Sequence, residues 1–133
     1  MNIAEAAVAD ALVRYERALN TSNLEAALDL YARDGVFMPQ NSPSSVGADE
    51  VRRAYELVFN TITLRVQFSV AEVRQLAPDW AFARTNSTGT STLHATGVTS
   101  SEGNQELFIF QRIDDDWKIA RYCFSTTLPL RNC

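Results

Sequence analysis

The sequence predicts an α+β fold: three N-terminal helices packed on a strongly curved, mixed, mostly antiparallel sheet that forms a cone around a central cavity. Three observations carry this. Apolar residues recur at three- and four-residue steps through the first half of the chain, the period of a helix face. β-branched, aromatic and hydroxyl residues alternate through the second half, the period of a strand. The two patterns are segregated rather than interleaved, which separates α+β from βαβ architecture.

The first helix spans Ile3 to Leu19, where Val8, Leu12, Tyr15 and Leu19 make one apolar stripe. Asn20-Thr21-Ser22-Asn23 breaks it. Ser22 with Glu25 three residues later is a capping-box pattern that opens a second helix, with Leu24, Leu28 and Tyr31 on its inner face. Asp34-Gly35 closes that helix, because glycine accepts the left-handed conformation common just past a helix end. Val36-Phe37-Met38 is a short strand stopped by Pro39, and Gln40 to Gly47 is a loop. A third helix covers Ala48 to Asn60, with Val51, Tyr55, Val58, Phe59 and Ile62 in its stripe. Four strands follow: Thr63 to Leu76, Trp80 to Leu93, Gln105 to Ile113 and Trp117 to Thr126. The turn at Pro78-Asp79, the polar loop Gly97 to Gly103 and the acidic turn Asp114-Asp115-Asp116 link them into an antiparallel meander. Helices closing the open side of such a sheet leave a cavity of the kind small molecules occupy.

The chain has 133 residues, which predicts one domain over 1–133 that needs neither disulfides nor metal to fold. A net charge of -4 with scattered Lys and Arg argues against a nucleic-acid partner. Two cysteines, Cys123 and Cys133, are no disulfide framework and fit a reducing cytoplasm. No leader pattern and no apolar run of membrane-spanning length is present, so neither secretion nor a membrane partner is expected. One histidine, His94, and two distant cysteines give no metal ligand set. The glycines lie in turns rather than in a phosphate-binding loop, so no cofactor is expected.

The functional question is posed by Glu106, which shares a strand face with Phe108 and Phe110. In the neighbouring strand Trp80, Phe82, Arg84, Asn86 and Thr88 share a face; in the last, Ala120, Tyr122 and Phe124 do. If Glu106, Arg84, Asn86 and Tyr122 look inward, they meet Tyr15, Tyr31 and Tyr55 from the helices, and Arg84 satisfies Glu106 in an aromatic-walled cavity. The alternative is a surface Arg84–Glu106 pair over an ordinary core. Leu107, Ile109 and Cys123 then point outward as an apolar face for a second subunit.

The segments "RYERALNTSNLEAALDLYARDGVFM", "GADEVRRAYELVF", "NQELFIFQR" and "WKIARYCFSTT" resemble the nuclear-transport-factor-two-like superfamily, and within it SnoaL-like proteins of the SgcJ/EcaC-type branch. The resemblance implies a cone with a deep cavity, a homodimer through the outer sheet face, and either catalysis or binding of a small molecule. By its similarity to ketosteroid isomerases, it implies Tyr15 as the oxyanion-binding tyrosine, Tyr31 and Tyr55 as its supports, and Glu106 at the position of the acid. Met38-Pro39 stands where those isomerases carry the base. The expectation is a proton-transfer isomerase, cyclase or dehydratase of natural-product metabolism, acting on an apolar, oxygenated, polyketide- or terpenoid-like substrate. Glu106 and Tyr15 are the catalytic candidates, and Tyr31, Met38, Gln40, Tyr55, Phe59, Arg84, Asn86, Phe108, Tyr122 and Phe124 the binding candidates. A carrier with the same pocket, or a dimeric interaction protein with a filled one, is the alternative.

Overall fold

The computed structural model describes residues 1–129, so the expectation for Cys133 lies outside the described residues. The chain runs α1 (Ile3–Asn20), α2 (Leu24–Leu28), β1 (Tyr31–Met38), β2 (Ser45–Val46), α3 (Ala48–Thr61), β3 (Ile62–Ala77), β4 (Trp80–Leu93), β5 (Thr99–Ile113) and β6 (Asp116–Thr126). One open sheet has the order β2-β1-β6-β5-β4-β3. Every neighbouring pair is antiparallel except β1 with β6. This is the α+β cone that the segregated periodicities predict. No helix among the described residues is long and apolar enough to cross a membrane.

Asn2 starts α1 through a capping box: its side chain accepts from the Glu5 backbone N–H, and Glu5 accepts from its own. Val8, Ala11, Leu12, Tyr15, Ala18 and Leu19 are buried along one face. The alanines keep that face shallow and let the helix lie close to the sheet. The polar flank of α1 has a second task. β3 is an edge strand, and its free backbone groups face the helix. Asn20 donates to the Val66 carbonyl and accepts from the Val66 N–H, Glu16 accepts from Phe68 N, and Glu5 accepts from Gln75 N. The edge that would otherwise pair with another chain is thereby covered.

Three local readings of the sequence are corrected. α2 is one short helix capped by Asn23, whose side chain accepts from Ala26 N, because Ser22 occupies a left-handed turn conformation (φ 50°) that a helix cap does not. Tyr31 and Gly35 belong to β1, not to a longer second helix. The polar stretch after Gly97 also pairs: Thr99 to Gly103 extends β5 along β4.

Curvature decides which side chains fit where. β3, β5 and β6 shift register at Val70/Glu72, Gln75/Ala77 and Ile109/Phe110. Each such bulge bends and twists its strand. On the concave face of β4 stand the small residues Ala81, Ala83, Thr85 and Ser87, all buried. Phe110 and Phe108 lie directly opposite Ala81 and Ala83 and fill the space those alanines leave. The bulkier Trp80, Phe82 and Arg84 take the convex face, where the splayed sheet has room.

Gly89 marks the tightest point of the β3–β4 ladder. Its φ is +155°, and a Cβ there would stand 2.0 Å from the Arg65 carbonyl oxygen, a backbone atom that cannot swing away. Gly47 has φ +87° and open space. Gly89→Ala is therefore expected to lose at least about 3 kcal/mol, and Gly47→Ala about 1 kcal/mol. Urea unfolding of both variants checks this; equal losses would show that the close approach at Gly89 is not a constraint.

Candidate functional site

Glu106 points into the cone and is 5% exposed. Its strand partner on β4 is Thr85, with Ser87 one same-face step along. Thr85 Oγ1 donates to Glu106 Oε1 at 2.6 Å, and Ser87 Oγ donates to Oε2 at 2.5 Å. These are lengths typical of hydroxyls donating to an ionised carboxylate. Among the described residues no cation pairs with Glu106. Burial raises its pKa above the ordinary carboxylate range, and the Ser87 and Thr85 hydroxyls partly offset that rise. Each carboxylate oxygen keeps a lone pair beyond the one its hydroxyl uses.

Across the cavity stands a row of buried phenols. The Tyr31 and Tyr55 hydroxyls are 2.7 Å apart, and those of Tyr55 and Tyr15 2.6 Å apart. Burial pushes the Tyr15 hydroxyl above its usual pKa even though Tyr55 and Tyr122 favour its anion. Tyr31, Tyr55 and Tyr122 are raised well above theirs, again by burial first. All four stay protonated around neutrality and act as hydrogen-bond donors, not bases. Tyr31 lies behind the wall, while Tyr55 and Tyr15 reach the cavity. A ligand oxygen at Tyr15 therefore meets the end of a polarised hydroxyl chain. Edge contacts to Phe108 and Tyr122 hold the Tyr15 ring, and Phe37 stacks on Tyr55 and Tyr122.

The enclosed space is about 160 Å³. Leu19, Val58, Leu64, Val66 and Phe68 make most of its apolar wall; Ser87, Asn104, Glu102 and Glu106 give it one polar stripe along β4 and β5. Among the described residues no three metal-binding side chains come together.

Of the residues singled out from sequence, Tyr15, Tyr55, Glu106, Tyr122 and Phe124 line this cavity. Tyr31 and Phe108 stand one layer behind it, with Phe108 stacked on Tyr122 at 4.1 Å. Phe59 packs on Tyr55 outside the cavity. The inward placement of Arg84 and Asn86 is overturned. Because Thr85 and Ser87 face in, their alternate neighbours face out, and Arg84 Nε donates to Glu72 Oε1 at 2.6 Å on the convex face. The expected Arg84–Glu106 pair does not form. Met38 is also turned outward, since it is paired with outward-facing Cys123 while Phe37 pairs with inward-facing Tyr122. Gln40 caps the sheet end by accepting from the Thr126 N–H, away from the cavity. His94 ties the end of α3 to β3: its Nδ1 donates to the Asn60 carbonyl and its Nε2 meets Thr63 Oγ1. Thr85, Ser87, Glu102 and Asn104 were missed. Their signal is the strand alternation itself, read from Glu106 across the ladder.

The matched family model, the SnoaL-like domain, covers residues 12–122. A ketosteroid isomerase-like protein from Erwinia carotovora atroseptica superimposes with a TM-score of 0.92 at 36% identity, covering 97% of this chain and 100% of that one. An NTF-2 like protein from Shewanella oneidensis has a TM-score of 0.74 at 18% identity, covering 90% of this chain and 97% of that one. A hexachlorocyclohexane dehydrochlorinase has 0.81 at 10%, covering 98% and 90%; the last two likenesses concern the fold alone. No curated protein matches the chain. By fold, by the extent of the family match and by the geometry of its cavity, this chain belongs to the SnoaL-like domain family.

Proposed function

We propose that this protein is a proton-transfer enzyme, an isomerase, cyclase or dehydratase, acting on a small apolar substrate that carries a carbonyl or hydroxyl oxygen. One observation carries the reading. A buried carboxylate with no cationic partner among the described residues shares a cavity of about 160 Å³ with the cavity-facing end of a tyrosine chain. The family and the similarity to a ketosteroid isomerase-like protein support it.

Glu106 is the base. Its ionised form takes the proton from a carbon next to a substrate carbonyl, while Tyr15 donates to the oxygen on which negative charge develops. Returning the same proton to a different carbon completes an isomerisation. Delivering it to a departing hydroxyl completes a dehydration, and attack of the enolate carbon on a second carbonyl, whose oxygen then takes that proton from Glu106, completes a cyclisation. Thr85 and Ser87 hold the carboxylate still, and the apolar wall excludes water that would compete for the proton. The cavity is close to the ~150 Å³ that takes one benzene. Substrates of one ring or an equivalent chain fit; a fused four-ring skeleton does not.

The outer sheet face suits a homodimer. Leu107, Trp80 and Met38 lie exposed on it beside half-buried Ile109, Phe82 and Cys123. We read that face as covered by a second copy, in the reducing cytoplasm that an unpaired Cys123 suits.

Exchange of the α-protons of small cyclic ketones in deuterated buffer, followed by NMR, tests the chemistry. Glu106→Gln is expected to slow exchange at least about 100-fold, and Tyr15→Phe at least about 10-fold. Because the base must be ionised, the wild-type rate should rise with pH through a midpoint above the usual glutamate value of about 4.3. Exchange unaffected by Glu106→Gln, or a midpoint at that usual value, would contradict the assignment. For the dimer, sedimentation should give twice the chain mass for the wild type and the chain mass for Leu107→Glu. A monomeric wild type at micromolar concentration would refute it.

A further inference from the structure

The cavity has a second carboxylate that the proton-transfer reading does not use. Glu102 stands on the same face of β5 as Glu106, two same-face steps or about 13 Å of strand away. It is half-buried and lines the cavity wall. Its ladder partner explains its state. Glu106 faces Thr85 and takes two hydroxyl donors, but Glu102 faces Gly89, which offers no side chain. Gly89 cannot gain one either, because a Cβ there collides with the Arg65 carbonyl. Among the described residues nothing donates a hydrogen bond or an ion pair to the Glu102 carboxylate. Its partners are left to solvent and the cavity contents.

The rest of the lining has the same sign. Among the described residues Glu102 and Glu106 are the only charged ones on the cavity wall, with no Lys, Arg or His beside them. The outward turn of Arg84, bound to Glu72, removes the cation that would have neutralised the site. Aromatic side chains make up much of the remainder, with Phe68 and Phe124 among them. Their ring faces attract cations. An anionic ligand group about 8 Å from one such carboxylate, at an effective dielectric of about 20, binds roughly thirtyfold more weakly than a neutral isostere. Partial exposure of Glu102 reduces its own effect to roughly fivefold.

We infer that Glu102 is a specificity-determining residue, and that the substrate carries a basic nitrogen at the end away from its reacting oxygen. The protonated nitrogen pairs with Glu102, the hydrocarbon body fills the aromatic and aliphatic wall, and the oxygen end reaches Tyr15 beside Glu106. The substrate class is a small amino ketone or amino alcohol rather than a carboxylate, phosphate or sulfate ester. The orientation rests on the proton-transfer reading; the charge preference rests only on the lining.

Calorimetric titration with 3-phenylpropylamine, 3-phenylpropan-1-ol and 3-phenylpropanoate at neutral pH and low salt separates charge from shape. In the wild type the amine should bind about fivefold more tightly than the alcohol, and the acid most weakly. Glu102→Gln should reduce the amine's advantage over the alcohol about fivefold while leaving the alcohol within twofold of wild type. Glu102→Lys should place the acid above the amine. A wild type that binds the acid as well as the alcohol overturns the inference. So does an amine advantage that is undiminished in Glu102→Gln, or no binding by any of the three probes. Glu106→Gln, tested for proton exchange in parallel, keeps the two readings apart. If exchange persists in it while probe ranking follows Glu102, the base assignment fails and the charge preference stands.

Discussion

The register between β4 and β5 is the constraint on which the site depends. Thr85 lies opposite Glu106, so the same ladder step that turns the carboxylate inward supplies its first hydroxyl donor. A slip of one residue reverses every side chain on the strand that slips: in β5 it would send Glu106 to the outer face, and in β4 it would send Arg84 into the core. The register is held by volume. Phe108 and Phe110 fit against Ala83 and Ala81 on the concave side, and the reversed arrangement would press Phe82 and Trp80 into the space the aromatic rings already occupy. Packing thus fixes the placement of a charge that by itself disfavours burial.

That arrangement makes the interior polar in one narrow stripe. Thr85, Ser87, Glu106, Asn104 and Glu102 are ordered along two strands, and the wall opposite is aromatic and aliphatic. Short hydroxyl bonds from Thr85 and Ser87, with no cation among the described residues, are what oppose the rise that burial gives the Glu106 pKa. The tyrosines are held in the opposite role, as donors, by the same burial. On the proposed reading one environment separates acid from base, which is the requirement for moving a proton between two positions of one substrate.

Much of this was legible in the amino-acid sequence. The stripes Val8-Leu12-Tyr15-Leu19 and Val51-Tyr55 lie inward where the helical period puts them, and Glu106 shares its buried face with Phe108 and Phe110. The error lay one strand away. Reading β4 by bulk favours Trp80 and Phe82 as the inner set and carries Arg84 and Asn86 inward with them. On β4 the rule reverses, because Phe108 and Phe110 on the neighbouring strand fill the concave side and leave room there only for small residues, and that complementarity is a property of the paired sheet that no single strand reveals. Met38 went astray for a related reason: its orientation is set by the parallel pairing of β1 with β6, a contact between distant segments. The short α2 turned on backbone conformation at Ser22, which three-residue spacing does not encode.

The central claim is that Glu106 is buried without a compensating cation, and its most direct test is the pH dependence of folding stability in the wild type and in Glu106→Gln. Burial raises the folded-state pKa above the unfolded value of about 4.3, so in that window the folded protein retains a proton that the unfolded chain has released. Raising pH through the window therefore costs the wild type stability and leaves the glutamine variant's contribution at this position unchanged. Denaturant unfolding should show the stability of Glu106→Gln relative to wild type growing from pH 4 upward and levelling off above the folded pKa. A difference that stays flat, or that shrinks as pH rises, would mean that the carboxylate is solvated or paired.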